Sequence, residues 1–281
     1  MNTPLDLTIA LPVKNEEKNL LGCLESISED FAKHIVIIDS GSIDATIDIA
    51  KSKGVSVVNF EWDGKFPKKR NWFLRHYNLQ TKWVLFLDAD EYLTTEFKTE
   101  LKKTLENENS KVGFWLNYTI YFMGKKLKGG YPLNKLALFK VGAGEYEKID
   151  EDKWSDLDME IHEHPILKGD VGYIKSKIDH RDFRGVSHYV NKHNEYASWE
   201  AYRYMKTIND EKAKAKWTWK QKIKYKLMRS SLIGPVYFFG SYFVYGGWKD
   251  GAKGFAFAIL KMAYFTQIYC KISELTENKL K

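Results

Sequence analysis

The stretch Trp83–Leu93, WVLFLDADEYL, decides the fold, because an uncharged run of strand-forming residues ends abruptly in acids. The apolar part predicts a buried strand, and Asp88, Asp90 and Glu91 follow at its carboxyl end. Carboxylates crowded at such a position either cap the next helix or hold a cation. Since Asp is a good helix cap, the stretch alone leaves both interpretations open.

Short apolar runs upstream alternate with helical patterns. Further strands are predicted at Leu7–Val13, His34–Asp39 and Val55–Phe60. Asn15 is expected to cap the first of the intervening helices. Because the runs are continuously apolar and the order is β-α-β-α-β-α-β, we predict an α/β fold with a mostly parallel sheet flanked by helices. Ligands bind at the carboxyl ends of the strands in such sheets, where the acids of Trp83–Leu93 lie.

The second half of the chain has other patterns. Alternating apolar residues and turn glycines across 112–142 predict antiparallel strands. From about Lys212 the sequence is basic and aromatic, and an uncharged run extends from Ser230 to Trp248. We therefore expect a sheet domain at 1–205 and a helical tail at 206–281.

The composition of the tail limits its partners. The chain has 281 residues and a formal net charge of +7, and a basic tail favours an anionic surface. Trp, Tyr and Lys prefer the membrane interface, so we expect amphipathic or re-entrant helices lying on the inner leaflet. A helical hairpin packed on the sheet domain and a transmembrane hairpin are alternatives. No recognition motif supports nucleic acid as a partner.

The start of the chain bears on its compartment. The sequence MNTPLDLTIALPVKNEE has no basic start and only a short apolar run, so it is not a signal peptide. A cytosolic chain is expected. Together with the tail, this predicts a peripheral or monotopic protein on the cytoplasmic face of the inner membrane.

The acids at the sheet edge suit a divalent cation. Mg²⁺ or Mn²⁺ is held by one or two carboxylates together with substrate phosphates, and Asp88-Ala89-Asp90 offers such a pair. Asp39, at the end of the second strand, is placed to accept hydrogen bonds from a ribose or base. Asp44 is expected to cap the following helix. No glycine-rich dinucleotide or P-loop motif follows a strand.

Four motifs in this order resemble the family 2 glycosyltransferases of the GT-A fold. They are LPVKNEE at 11–17, VIIDSGSIDAT at 36–46, KKRNW at 68–72 and WVLFLDADE at 83–91. Later segments, including EIHEHP at 160–165 and GWKDGAKGF at 247–255, resemble a bacterial subgroup that builds cell-surface polysaccharides such as lipopolysaccharide core. The resemblance implies that 1–205 is a catalytic domain. It also implies metal-dependent, inverting transfer of a sugar from a nucleotide-sugar donor, a UDP-sugar by expectation, to a lipid-linked saccharide.

The resemblance also assigns roles to residues. Those expected at the nucleotide-sugar site are Pro12, Val13, Asn15, Glu16, Asp39, Ser40, Lys69, Arg70, Asn71 and Asp88. Asp88 is assigned to catalysis as well, and Asp90 is the expected direct ligand of Mg²⁺ or Mn²⁺. The commoner family pattern has a second acid, often a base contact, where this chain has Ser40.

Inverting transfer needs a general base that takes the proton of the acceptor hydroxyl. The family places a carboxylate for this task in the second half of the domain, where the candidates are Asp158, Glu160 and Glu163. Glu163 is favoured because it lies between two histidines in a turn-like segment before Pro165. His180 is a further candidate, either for phosphate binding or for the metal shell.

Two other functions compete with this one. A nucleotidyltransferase would need a glycine-rich, basic phosphate loop after the first strand, where this chain has acids. The other alternative is a catalytically inactive, membrane-bound scaffold of the same fold. The intact pair Asp88 and Asp90 argues against a scaffold.

Overall fold

The computed structural model describes residues 3–107, 110–148, 164–208, 210–211, 214, 217 and 219–278. Two compact units are present. The sheet unit is Met1–Tyr121 with Leu133–Phe183, and the helical unit is Phe122–Pro132 with Arg184–Lys281. This division differs from the one expected at residue 205, because the helix Val186–Thr207, which spans that boundary, packs with the last helix of the chain.

The elements are numbered in chain order. The strands are β1 (Leu5–Val13), β2 (Ala32–Asp39), β3 (Ser56–Asn59), β4 (Trp83–Phe86), β5 (Glu91–Tyr92), β6 (Gly113–Phe122), β7 (Lys125–Lys126), β8 (Asn134–Lys140), β9 (Gly144–Tyr146), β10 (Pro165–Leu167) and β11 (Val171–His180). The helices are α1 (Leu20–Ile27), α2 (Thr46–Ser52), α3 (Lys69–His76), α4 (Thr95–Asn107), α5 (Val186–Thr207), α6 (Trp219–Leu227), α7 (Ile233–Phe239) and α8 (Gly251–Asn278).

The sheet unit is built on a mixed sheet with the strand order β3-β2-β1-β4-β8-β6-β11-β5. The first four strands of this order are parallel, and β8 enters antiparallel to both β4 and β6. The predicted α/β class, a mostly parallel sheet flanked by helices, is confirmed. A second, two-stranded sheet pairs β10 with β9.

The register of the parallel strands sets the position of the site. Val13 lies opposite Asp39, and Asp39 lies opposite Asn59. On the other side of β1, Ala10 lies opposite Phe86. The strand ends that carry the polar clusters therefore meet at one edge of the sheet, as the sequence predicts.

Strand β1 is apolar apart from Asp6 and Thr8, and it is buried on both faces from Leu7 onward. Leu7, Ile9 and Leu11 are fully buried in one hydrophobic cluster. Ala10 belongs to a separate cluster that also contains Val36. A strand covered on both sides has no reason to alternate between apolar and polar residues.

The expected cap of α1 by Asn15 was wrong. The helix begins only at Leu20, and Asn15 has a φ of 56°. Its side-chain oxygen instead accepts a hydrogen bond of 2.9 Å from the backbone N–H of Ile43. Asn tolerates this left-handed conformation better than most residues, so the side chain joins two loops rather than starting the helix.

In the helical unit, the long helices α5 and α8 pack against each other around a shared apolar core. Helix α7 continues as a π-helical turn, Gly240–Val244, and a 3₁₀ turn, Gly247–Asp250, leads into α8. Within the described segments, no helix is both long enough and apolar enough to cross a bilayer.

Helix α7 and its continuation expose apolar side chains at helical spacing. The exposed fractions are 63% for Leu232, 46% for Val236, 59% for Phe239 and 51% for Phe243. We call these residues the exposed stripe. The other side of the helix packs so closely on α8 that a Cβ added to Gly234 would lie 2.1 Å from Thr266 Oγ1.

Candidate active site

The loops after β1 and β2 are tied together at the sheet edge. The backbone N–H of Asn15 donates to Ser42 Oγ at 2.9 Å, and that of Glu16 donates to Thr46 Oγ1 at 2.7 Å. Asp44 accepts hydrogen bonds from the N–H of Thr46 and of Glu17, both at 3.1 Å. Asp44 thus satisfies a donor at the start of α2, as the sequence predicts.

Asp39 stabilises its own turn. Its carboxylate accepts hydrogen bonds from the N–H of Gly41 at 3.0 Å and from the hydroxyl of Ser42 at 2.5 Å. Ser40 donates its N–H to the carbonyl of Val13 at 3.3 Å, which joins the turn to β1. Asp39 is only 5% exposed. A nucleotide that donates a hydrogen bond to its carboxylate would therefore do so beside the loop donors of Gly41 and Ser42. Its contact with a ribose or base stays a prediction.

Helix α3 brings three predicted residues to this edge. Lys69, although 1% exposed, donates from Nζ to the carbonyl of Val13 at 3.0 Å. Arg70 reaches the acids, as described below. The side-chain amide of Asn71 makes two hydrogen bonds with the backbone of Tyr146, at 2.8 and 3.0 Å, and so fixes α3 to β9.

Asp88 lies between two cations. Arg70 donates from a terminal guanidinium nitrogen to Oδ1 at 2.8 Å, and Lys135 donates from Nζ to Oδ2 at 2.6 Å. The sequence predicts Arg70 at this site but not Lys135. The only signal for Lys135 is its place at the start of β8, the strand that pairs with β4, and that pairing is not visible in a local pattern.

Glu91 is a buried acid at this site, and the sequence motifs assign no role to it. It is fully buried, and Lys135 Nζ donates to its Oε1 at 2.5 Å. Its Oε2 accepts from the N–H of Asp88 at 3.1 Å and from the hydroxyl of Tyr118 at 3.4 Å. Burial raises the pKa of Glu91 to about 7, although Lys135 opposes this effect.

Asp90 faces a different neighbour. His180 Nε2 lies 3.6 Å from Asp90 Oδ1, because β5 and β11 pair antiparallel with His180 opposite Glu91. The N–H of Arg181 donates to the carbonyl of Asp90 at 2.7 Å and fixes this turn. Asp90 is 3% exposed. Two residues predicted for a metal site are thus brought together.

Asp90 and His180 suit a hard divalent cation that takes most of its ligands from substrate phosphates and water. In the described part of the chain, no group of three or more His, Cys, Asp and Glu side chains could hold a metal ion. Asp90 and His180 offer one oxygen and one nitrogen. Mg²⁺ is commonly held by one or two carboxylates, with substrate phosphates and water completing its shell.

The remaining predicted residues are placed as follows. Pro12 and Val13 are buried at the end of β1, and Glu16 accepts a hydrogen bond of 2.8 Å from the Asn19 amide. Asp158, Glu160 and the favoured base Glu163 lie outside the described residues.

The chain resembles known proteins over most of its length. Residues 8–142 match the family described as Glycosyl transferase family 2. The lipopolysaccharide core biosynthesis glycosyltransferase LpsC of Rhizobium meliloti is 26% identical over 272 residues, which are 92% of this chain and 89% of that protein. The glycosyltransferase SunS of Bacillus subtilis is 32% identical over 99 residues, which cover 34% of this chain and 23% of SunS.

Among solved structures, glucosyl-3-phosphoglycerate synthase from Mycobacterium tuberculosis, in complex with Mn²⁺, UDP and glucosyl-3-phosphoglycerate, is similar with a TM-score of 0.32 and 22% identity. The match covers 42% of this chain and 44% of that structure, so this chain spans less than half of its length.

Proposed function

We propose that the chain transfers a sugar from a nucleotide-sugar donor to a hydroxyl group of a lipid-linked saccharide, because residues 8–142 match glycosyl transferase family 2. One observation carries the proposal. Asp88 and Asp90 follow a central parallel strand at the sheet edge, the first held by Arg70 and the second beside His180. We expect a UDP-sugar as the donor.

Asp90 and His180 would hold Mg²⁺ or Mn²⁺. When bound, such an ion stabilises the negative charge of the leaving diphosphate. Asp88, held by Arg70 and Lys135, orients the donor. The backbone of Pro12 and Val13 and the loops that Asn15, Glu16, Asp39 and Ser40 tie together form the floor of the nucleotide site.

We propose a single displacement with inversion at the anomeric carbon. The acceptor oxygen attacks that carbon while the bond to the diphosphate breaks, and a carboxylate takes the hydroxyl proton. Glu163 is the favoured base, with Asp158 and Glu160 as the other candidates.

The proposed acceptor and the proposed location of the protein are supported by other features. The name of the Rhizobium meliloti relative concerns lipopolysaccharide core biosynthesis, which supports a cell-envelope saccharide as the acceptor. The exposed stripe supports attachment to a membrane surface, since apolar side chains at helical spacing suit an interfacial helix. Lys222, Lys226 and Arg229, all exposed in or just after α6, would face anionic lipid. The location that we propose is the cytoplasmic face of the inner membrane.

Calorimetry and donor hydrolysis test the proposal. Purified protein is titrated with UDP-, GDP- and dTDP-sugars in Mn²⁺, Mg²⁺ or EDTA, beside Asp90→Asn and the control Asp170→Asn, whose side chain is 83% exposed. We expect one donor class to bind with a metal, and Asp90→Asn alone to lose this binding. Equal metal-dependent binding by Asp90→Asn would remove Asp90 from the site. No metal-dependent binding to any donor would favour an inactive scaffold.

A further inference from the structure

Lys135 reaches the acidic edge from β8, a strand to which neither the motifs nor the family resemblance assigns a role. We propose that Lys135 is a positioning residue of the donor site, which clamps Asp88 against Arg70 and so fixes the carboxylate that orients the nucleotide sugar. The inference rests on the proposed function and deepens it.

The clamp occupies both oxygens of Asp88. Arg70 holds Oδ1 at 2.8 Å and Lys135 holds Oδ2 at 2.6 Å. Arg70 is 8% exposed, so its guanidinium has little freedom to move away. A carboxylate bound by a separate cation on each oxygen has one defined orientation, and charge-assisted hydrogen bonds of this kind are the strong ones.

Lys135 is itself held in place. Glu91 binds the same ammonium group at 2.5 Å, and the ring of Tyr118 lies beneath it with 5.3 Å from Nζ to the ring centroid. Glu91 is fixed in turn by the N–H of Asp88. The ammonium therefore bridges an acid at the mouth of the site and an acid below it, and its position is set from the protein interior.

The two acids of Asp88-Ala89-Asp90 have different neighbours, and we assign them different roles. The charge of Asp88 is balanced by the side chains of Arg70 and Lys135. Asp90 has His180 as its neighbour and suits a metal ion. A merely structural alternative exists, in which Lys135 does no more than neutralise the buried Glu91.

A double substitution separates these two roles. Lys135→Met leaves Glu91 buried without its cation, so loss of stability is expected in either case. In Glu91→Gln/Lys135→Met the buried charge is gone as well, and the fold is expected to recover. Lys135→Arg keeps a cation, and Lys140→Met on the same strand is the control.

The readouts are the melting temperature and the Kd of UDP with Mn²⁺ by calorimetry. If Lys135 positions Asp88, the double variant regains the melting temperature of the wild type but binds UDP at least about tenfold more weakly, as expected for loss of a hydrogen bond between charged groups. Lys135→Arg recovers part of the binding, and Lys140→Met changes neither quantity.

Wild-type affinity in a double variant with restored stability would overturn the inference, because Lys135 would then serve only Glu91. The wild type is measured alongside. If it binds no nucleotide with Mn²⁺ or Mg²⁺, the proposed function fails and the inference fails with it. If the wild type binds and the double variant binds equally, the inference alone fails.

Discussion

His180 Nε2 lies 3.6 Å from Oδ1 of Asp90, and this contact joins the end of β11 to the turn after β4. Both residues were candidates for a metal site from the sequence, but only the pairing of β5 with β11 brings them together. The gap is too long for a good hydrogen bond. Two ligands of one cation can lie at such a separation.

We predict that His180→Ala weakens activation by the metal. On the proposed assignment of Asp90 and His180 as the two protein ligands, this change should raise the Mn²⁺ concentration for half-maximal donor hydrolysis by roughly tenfold or more, as the loss of partners of a metal site commonly does. The measurement is a Mn²⁺ titration at saturating donor. His34→Ala, which changes an exposed residue of β2, is the control. Unchanged metal dependence in His180→Ala would exclude His180 from the metal shell.

Asp250 is predicted to hold a loop of the helical unit in place. Its Oδ2 accepts hydrogen bonds from the N–H of Lys128 at 2.8 Å and of Gly129 at 3.0 Å, and its side chain is fully buried. Asp250→Ala leaves both donors without this acceptor, at a cost of about 2 to 3 kcal/mol. The amides of Lys128 and Gly129 should then exchange hydrogen faster.

Asp250→Asn retains one oxygen acceptor and should have a smaller effect on the same amides. Asp170→Ala, an exposed acid of the sheet unit, is the control. Unaltered exchange in Asp250→Ala would show that other contacts hold the loop, among them the 3.0 Å hydrogen bond from Gly130 N–H to the Tyr245 carbonyl.

Asp88 can be predicted as a site residue from the local sequence pattern, whereas Lys135 cannot. Asp88 ends an apolar run, and such a run indicates a strand end without knowledge of the fold. Lys135 is 47 residues further along the chain and reaches Asp88 only through the antiparallel register of β8 against β4. That register depends on packing between distant segments. Asn15 failed as a predicted cap for the same reason, because its partner, Ile43, lies in another loop.

Lys261 is predicted to destabilise the folded protein at neutral pH. Its ammonium lies among aromatic rings, 5.8 Å from the centroid of Tyr131 and 5.5 Å from that of Phe257. Burial lowers the pKa of Lys261 to about 8, whereas an unfolded lysine keeps its proton to about pH 10.4. The unfolded state therefore binds more protons between these values, and stability rises with pH in this window.

Lys261→Met should thus raise the free energy of unfolding by about 1 kcal/mol at pH 7, a value reduced because the side chain is only partly buried. The gain should fade as the pH approaches 10. Thermal melts at pH 7 and pH 10 measure both effects, with Lys222→Met as an exposed control. A lower melting temperature for Lys261→Met at pH 7 would mean that the surrounding aromatic rings stabilise the ammonium by more than its burial costs.

The exposed stripe is predicted to bind the surface of an anionic bilayer. Phe239 and Phe243 are more than half exposed at 59% and 51%, so inserting them between lipid head groups would bury apolar area without refolding the helix. Phe239→Ser/Phe243→Ser should weaken binding to phosphatidylglycerol vesicles at least about tenfold, since a fully buried Phe side chain stabilises by roughly 1.5–3 kcal/mol. Cosedimentation measures this loss. Tyr173→Ser, at a residue 70% exposed on β11, is the matched control.

The exposed basic residues of α6 should make this binding depend on lipid charge. Lys222→Glu/Lys226→Glu should lower binding to anionic vesicles, and added salt should weaken wild-type binding, because exposed charges are screened. Equal sedimentation of wild type and Phe239→Ser/Phe243→Ser would refute the assignment. If that variant instead lost self-association in gel filtration while still binding vesicles, the stripe would be a contact between copies of the chain. Membrane attachment would then have to come from another surface.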